Sequence, residues 1–384
     1  MMKVYIHKAV RTAVGSFNGQ FKNVSAVQLG VECVKACSID DHTQKQIKPD
    51  QVIMGNVLSA GVGQAPARQV ALASGLHPNV ICTTVNKVCS SGLKAVIMAC
   101  QSIKLQDSQR VIAGGMESMS NAPLLLTAKA RRGIPYGMGE LTRDSILTDG
   151  LLDPLNNKHM GEYAEDTAKK YNISRKDQDD YAEMSYQRSA MAWKEKLFKN
   201  EIVPVSDGKA MITEDEEYKK IDYARLRLLK PVFVNNETGT ITAGNASKIN
   251  DGAAAVYLSN DPKGAMAEVL SYGEAECEPE SFAIAPSLAI PIALDRAGLT
   301  TNDVSLFEIN EAFSAVAIVN QRLLRIPMEK LNTRGGAVSL GHPIGSSGCR
   351  LLVTLCHALK GDQIGVVGIC NGGGGASALV IRKL

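Results

Sequence analysis

Apolar positions along this chain follow two alternating rhythms, and the alternation itself predicts the fold class. Val52-Ile53-Met54-Gly55-Asn56-Val57, Val111-Ile112-Ala113-Gly114-Gly115 and Gly365-Val366-Val367-Gly368-Ile369 are short apolar runs punctuated by glycine, the pattern of strands buried on both faces. Val4-Tyr5-Ile6 opens another such run, and Arg382-Lys383-Leu384 reads as the end of a final strand. Between them, Leu93 to Ile103 and Arg350 to Leu359 carry helical spacing. Strands alternating with helices predict an α/β fold.

The two helices also expose a duplication. Ser91-Gly92-Leu93-Lys94 and Ser347-Gly348-Cys349-Arg350 each open an apolar helix after a Gly/Ser turn, about 260 positions apart. Each is followed by a strand ending in a glycine-rich turn, Gly114-Gly115-Met116-Glu117 in the first half and Cys370-Asn371-Gly372-Gly373 in the second. The stretch from 118 to 248 breaks this rhythm. It holds charge clusters at Lys176 to Asp180 and Glu214 to Lys220, with turn punctuation at Arg132-Gly133-Ile134-Pro135 and Asn235-Asn236-Glu237-Thr238-Gly239. It reads as an insertion carrying substrate contacts.

Composition narrows the function classes. A chain of 384 residues is too long for one ordinary core, and 45% hydrophobic with 21% charged residues suits a globular enzyme or binding protein. A net charge of +3 without a long basic run argues against nucleic acid as a partner. No window offers some 18 uninterrupted apolar residues, so no membrane partner is expected. The odd count of nine cysteines without a Cys-x-x-Cys knuckle points to reduced thiols. A cytoplasmic location is the simplest expectation, or a mitochondrial one if a leader has been removed.

Three segments carry candidate chemistry. Cys89 precedes the apolar helix near Leu93, where a helix N-terminus lowers a thiol pKa and favours a nucleophilic thiolate. His342 lies in the loop Gly341-His342-Pro343-Ile344-Gly345, a setting for a general base. Cys370 is followed, after Asn371, by four glycines that let backbone N–H groups approach a developing oxyanion. Two cysteines and a histidine supply a covalent carrier, a base and a second proton-transfer group.

These segments resemble those of the thiolases, along essentially the whole chain. Asn86-Lys87-Val88-Cys89-Ser90-Ser91-Gly92, Gly114-Gly115-Met116-Glu117-Ser118-Met119-Ser120, His159-Met160-Gly161, Thr242-Ala243-Gly244-Asn245-Ala246-Ser247, Asn310-Glu311-Ala312-Phe313, Gly341-His342-Pro343-Ile344-Gly345 and Cys370-Asn371-Gly372-Gly373-Gly374 stand in the family's order. The resemblance implies a five-layer αβαβα fold from two related halves. Residues 1–117, completed by about 249–268, would form the first half, 118–248 an inserted loop domain over the active site, and 269–384 the second half.

The resemblance also implies residue roles. Cys89 would carry the acyl group, activated by His342, while Cys370 would move the α-proton of the second acetyl unit. His342 and a water held by Asn310 would stabilise the enolate, and the N–H groups of Cys89 and Gly372 would form the oxyanion site. Coenzyme A would be the carried thiol, with His159 and Met160 at the inner end of its tunnel, Ser247 at the pantetheine, and Lys220, Asp222 and Arg225 near the nucleotide.

Within the family the sequence is most similar to the acetoacetyl-CoA thiolase branch. That branch binds potassium beside the CoA site, implying Tyr186, Ala243, Gly244, Ala246 and Val338 as ligands, Tyr186 counting among the CoA-site residues as well. The implied reaction joins two acetyl-CoA into acetoacetyl-CoA and CoA, or runs in reverse, in a homotetramer built as a dimer of dimers. A broader 3-ketoacyl-CoA thiolase, a decarboxylating ketoacyl synthase and a non-catalytic CoA-binding relative are the alternatives. Two departures stand out: Ala283 replaces an expected proline, and Lys248 follows Ser247 where a small residue is usual.

Overall fold

The computed structural model describes residues 2–40, 44–133, 142–234 and 236–384. Ile134, Pro135 and Asn235 of the expected turns lie outside the described residues. The predicted strands and helices form as Gln51–Gly55, Arg110–Ser118, Ile364–Asn371, Ser91–Lys104 and Ser347–Ala358. Strands line up across the sheet in the order Leu306–Ile309, Ile364–Asn371, Gly375–Lys383, Ala267–Glu276, Val4–Arg11, Asn250–Ser259, Arg110–Ser118, Gln51–Gly55, Ile81–Val85. The halves join because Val4, Tyr5 and Ile6 pair with Val269, Glu268 and Ala267.

Burial divides this structure into layers. Helices Ser91–Lys104 and Ser347–Ala358 sit between the two sheet halves, where Leu93, Ile97, Leu351 and Leu355 pack with Val256 and Val367 in one core. Each of those four helix side chains has no exposed surface, so its burial contributes about 1.5–3 kcal/mol. Helix Ala26–Cys37 covers the outer face of the first half with Leu29, Cys33 and Val34. Its apolar residues recur at helical spacing, and Ser25 with Gln28 closes a capping box at its start. Helices Pro286–Arg296 and Ser314–Leu324 cover the second half through Ile290 and Val319. The result is the five-layer αβαβα arrangement.

The duplicated Ser-Gly pairs meet at the centre. A Cβ on Gly92 would lie 3.0 Å from Cys349 N, and one on Gly348 2.7 Å from Leu93 N. Glycine is required at this crossing because two helix backbones touch. One expectation fails nearby: Gly114-Gly115 does not end its strand, which runs on to Ser118. These glycines serve close approach, since added Cβ atoms would fall 2.0 Å from Ala254 O and 2.0 Å from Gly345 O.

The charged stretch leaves and rejoins the sheet between neighbouring strands, with Ser118 paired to Asp251. Its longest helix, Arg175–Lys194, sends Tyr181 into the second half's outer core. Tyr181 Oη and Ser185 Oγ both donate to Glu311, at 2.8 Å each. The inserted region is thereby tied to the loop that follows Ile309.

Candidate active site

Cys89 sits in a tight turn ahead of helix Ser91–Lys104, and the residue before it is strained. Val88, β-branched, has φ 46°, a conformation costing about 1–3 kcal/mol that tends to mark functional positions. Ser91 braces the turn by donating to Val88 O at 2.6 Å and accepting from Lys87 N at 2.8 Å. Ser90 Oγ donates to Asn371 Oδ1 at 2.9 Å. That bond joins the Cys89 turn to the end of strand Ile364–Asn371, which carries Cys370.

The Gly-rich run after Cys370 divides its duties. Gly373 and Gly374, at φ 88° and 90°, make the reversal between Ile364–Asn371 and Gly375–Lys383, a backbone shape that favours glycine. Gly372 instead lines the cavity with Cys89, where its N–H and that of Cys89 favour the Cys89 thiolate. A Cβ on Gly372 would lie 3.4 Å from Met160 Sδ.

His342 is held on every side. Its N–H donates to Asn250 Oδ1 at 2.9 Å, and Gly341, φ 116°, leaves the room that Asn250 needs. Gly345 N donates at 2.9 Å to Glu117, whose carboxylate also accepts from Asn56 Nδ2 and the N–H groups of Val57 and Leu58. Ser347 fixes the imidazole tautomer. Its Oγ lies 2.9 Å from Pro343 O, which can only accept, so the hydroxyl proton points there and Oγ accepts from His342 Nδ1 at 2.6 Å. Nε2 is left as the basic nitrogen, 3.3 Å from Asn310 Nδ2. Asn310 Oδ1 is buried without a protein partner among the described residues.

Electrostatics departs from expectation at Cys89. Burial pushes the thiol up to about 12, outweighing the N–H groups of Gly372 and Cys89. The helix N-terminus therefore does not depress it, because desolvating a thiolate outweighs a half-charge of helix dipole. Burial, reinforced by Arg350, pulls His342 down to about 3. Cys370 is raised by burial and then by Cys89. The resting site favours neutral thiols and a neutral imidazole.

Cys89, His342, Cys370 and Gly372 line an inner cavity of about 50 Å³, walled by Met160 and Phe282. It shares His159, Ser247 and Phe313 with an outer cavity of about 460 Å³ that Lys220 also lines. His159 caps helix Met160–Lys170, accepting from Gly161 N at 3.0 Å, and stacks on Phe233. Lys220 pairs with Glu216 at 2.9 Å. Asp222 caps helix Tyr223–Leu226, and Arg225, 81% exposed, leans on it at 3.5 Å. Neither Asp222 nor Arg225 lines the two cavities. A larger concavity of about 690 Å³ beside Met2, Lys104 and Arg296 holds none of the chemical residues.

The residues expected to bind potassium do not fit that ion. Tyr186 Oη, Ala246 O and Val338 O converge instead on Lys248 Nζ, at 2.7, 2.9 and 3.2 Å. A second cation there would face an ammonium inside one oxygen cage. Ala243 lines the outer cavity beside Lys248, while Gly244 packs under Leu226 and Leu229. Sequence reasoning marked Lys248 as a bulky cation where a small residue is usual, without a partner for its charge, and it gave Ser347, Asn250 and Glu311 no role. The Ser347-Gly348 repeat was the available signal for the first of these.

Comparison with known proteins agrees with this fold. Residues 4–261 match the family model described as Thiolase, N-terminal domain, and residues 263–383 match Thiolase, C-terminal domain. A protein of Yarrowia lipolytica named acetyl-CoA acetyltransferase is 49% identical over 99% of this chain and 96% of its own length. One of Bos taurus named acetyl-CoA acetyltransferase, mitochondrial, is 46% identical over 100% of this chain and 92% of its own. The structure of a thiolase from Ascaris suum in complex with coenzyme A superposes with TM-score 0.93 at 44% identity, covering 100% of both chains. The chain belongs to the thiolase family.

Proposed function

We propose that this chain is a coenzyme A-dependent acetyltransferase that joins two acetyl-CoA into acetoacetyl-CoA and CoA, or cleaves acetoacetyl-CoA with CoA. The observation that carries the reading is the convergence of Cys89, Cys370, His342 and the Gly372 N–H on one small apolar cavity. Full-length likeness to proteins named acetyl-CoA acetyltransferase supports it, and so does the CoA complex of the Ascaris thiolase. Several relatives carry "mitochondrial" in their names, which supports that location over the cytoplasmic one. No helix among the described residues is long and apolar enough to cross a membrane. The homotetramer rests on family resemblance alone.

In this reading Cys89 Sγ attacks the thioester carbonyl while its proton passes to His342 Nε2. The N–H groups of Cys89 and Gly372 receive the carbonyl oxygen as it gains charge; each such donor is worth about 3–4 kcal/mol in comparable sites. The C–S bond to CoA then breaks, leaving acetyl-Cys89, and the departing thiolate takes a proton from Cys370. In the second step Cys370 removes the α-proton of a second acetyl-CoA. Asn310 and His342 steady the enolate oxygen while its carbon attacks acetyl-Cys89 and expels the Cys89 sulfur.

Pantetheine would run from the outer cavity past His159 and Ser247, with Lys220 on that cavity's wall and Asp222 and Arg225 beyond it for the nucleotide. The inner cavity limits the acyl chain, since Met160 and Phe282 close it. Thiolysis of acetoacetyl-CoA is therefore expected to exceed that of 3-ketoacyl-CoAs with longer chains by at least tenfold in kcat/KM, with 2-methylacetoacetyl-CoA between. Equal or faster cleavage of the longer substrates would replace this reading by the broad-range thiolase.

Ser347 matters here because it keeps the His342 proton on Nδ1. Removing the hydroxyl frees the tautomer and leaves a buried N–H without its acceptor. Ser347→Ala is expected to lower kcat about tenfold to a hundredfold with KM little changed, and Ser347→Thr to recover most of it. Because His342 lies far below the usual 6.5, wild-type kcat should stay level as pH falls through 6.5. Initial-rate pH profiles check both, and a wild-type acid limb at that pH would contradict the neutral base.

A further inference from the structure

Lys248 stands half-buried on the wall of the outer cavity, and its ammonium contacts among the described residues are all uncharged oxygens. An ammonium has three protons to donate. Its three acceptors are Tyr186 Oη at 2.7 Å, Ala246 O at 2.9 Å and Val338 O at 3.2 Å. The ammonium also lies 5.2 Å from the centre of the Tyr186 ring. Two main-chain carbonyls and a phenol form a cage suited to a hard monovalent cation, whereas a buried lysine ordinarily seeks a carboxylate. Glu217 and Glu311 contribute attraction from further off.

The cage joins three separate parts of the chain. Tyr186 stands on helix Arg175–Lys194 of the inserted region, buried to 3% exposure. Ala246 belongs to the segment that reaches Ser247 in both cavities and is bridged to Phe313. Val338 lies in the short helix Ala337–Leu340, directly before Gly341 and His342. Val338 is held through both of its main-chain polar groups, its carbonyl by Lys248 and its N–H by Glu311 Oε2 at 3.0 Å. These are adjacent peptide units, and a positive charge at one carbonyl with a negative one at the other's N–H favours the orientation each has in the short helix. The ammonium thereby fixes the approach of the chain to His342.

We propose that Lys248 is a built-in cation: its tethered ammonium fills the oxygen cage that a free monovalent ion would otherwise need to fill, and positions the His342 loop without one. The protein is then independent of potassium. Tethering removes the cost of recruiting an ion from solution, although burial lowers the Lys248 pKa to about 8. Lys248 acts through Val338 and so is a positioning residue. Its effect on turnover rests on the acyltransfer reading, while its effect on ion binding does not.

The test compares wild type, Lys248→Ala and Lys248→Met in potassium, sodium and choline chloride at equal ionic strength. Melting temperature and acetoacetyl-CoA thiolysis are followed, and crystals soaked in rubidium are measured for anomalous scattering. Wild type should show the same melting temperature and rate in all three salts and no rubidium peak between Tyr186 and Val338. Lys248→Ala should show that peak, melt higher in potassium than in choline, and regain turnover severalfold with potassium. Lys248→Met, which fills the space without charge, should stay slow and insensitive to salt.

A rubidium peak at the cage in wild type, or severalfold potassium stimulation of it, overturns the proposal. So does a folded Lys248→Ala that neither binds rubidium nor responds to potassium. If that variant does not fold, the wild-type salt series and rubidium map decide alone. Wild-type protein that cleaves no thioester refutes the acyltransfer reading, and the rubidium maps still decide the cage.

Discussion

Cys89→Ala is expected to reduce turnover by about 10⁵ to 10⁶ in either direction, or about 7–8 kcal/mol of transition-state stabilisation. The loss is this large because no neighbouring group can stand in for the sulfur. Cys370 shares the cavity but lies at the end of a strand on the far side of the Ser90 to Asn371 bond, and it is the Cys89 thiolate that the N–H groups of Gly372 and Cys89 favour. Without the nucleophile, the oxyanion donors have no tetrahedral centre to stabilise. Folding should survive, since the change deletes one atom that faces a cavity rather than packed core and costs about 1 kcal/mol. The decisive measurement is peptide mass spectrometry after incubation with acetyl-CoA: one acetyl group on the Cys89 peptide in wild type and none in the variant. An active protein with an unacetylated Cys89 would end the covalent mechanism.

How far the sequence spoke depended on whether a feature was local. The strands around Val52, Val111 and Val366 were legible because glycine-punctuated apolar runs are set by burial on both faces. The paired helices were legible because Ser91-Gly92 and Ser347-Gly348 repeat one solution to one crossing. Gly114-Gly115 was misread as a turn because its requirement comes from Ala254 and Gly345, which are distant in sequence. The acidity of Cys89 was misjudged for a related reason. A helix N-terminus is visible in sequence, whereas the burial that outweighs it is not.

Of the site, residues in dense motifs could be named, while their supports could not. Ser347 belongs to the repeat, yet only the fold places its hydroxyl between His342 Nδ1 and Pro343 O. Lys248 is the sharpest case. Its unusual size beside Ser247 was plain, but the three oxygens it meets lie on segments 62, 2 and 90 positions away. A departure from a family pattern and a ligand set implied by that pattern turn out to be one structural fact.

Cys370→Ala is expected to divide the reaction in two. Condensation and thiolysis should fall about 10²- to 10⁴-fold, the usual weight of a general acid or base. Acetyl transfer between acetyl-CoA and Cys89 needs the nucleophile, His342 and the oxyanion donors, and loses only the Cys370 proton for the departing thiolate, which water or His342 can supply. Radiolabel exchange between acetyl-CoA and CoA should therefore stay within about tenfold of wild type. The asymmetry follows from the environment of Cys370. Its side chain is 1% exposed, and burial together with Cys89 raises its pKa. A thiol so placed is a reluctant thiolate and, once ionised, a stronger base, which suits removal of a weakly acidic α-proton. Exchange of the acetyl-CoA methyl protons with deuterated water should vanish in the variant along with condensation. If label exchange fell as far as condensation, the Cys370 proton would be as essential to the covalent step as to the α-proton step, and the two cysteines could not be given separate duties.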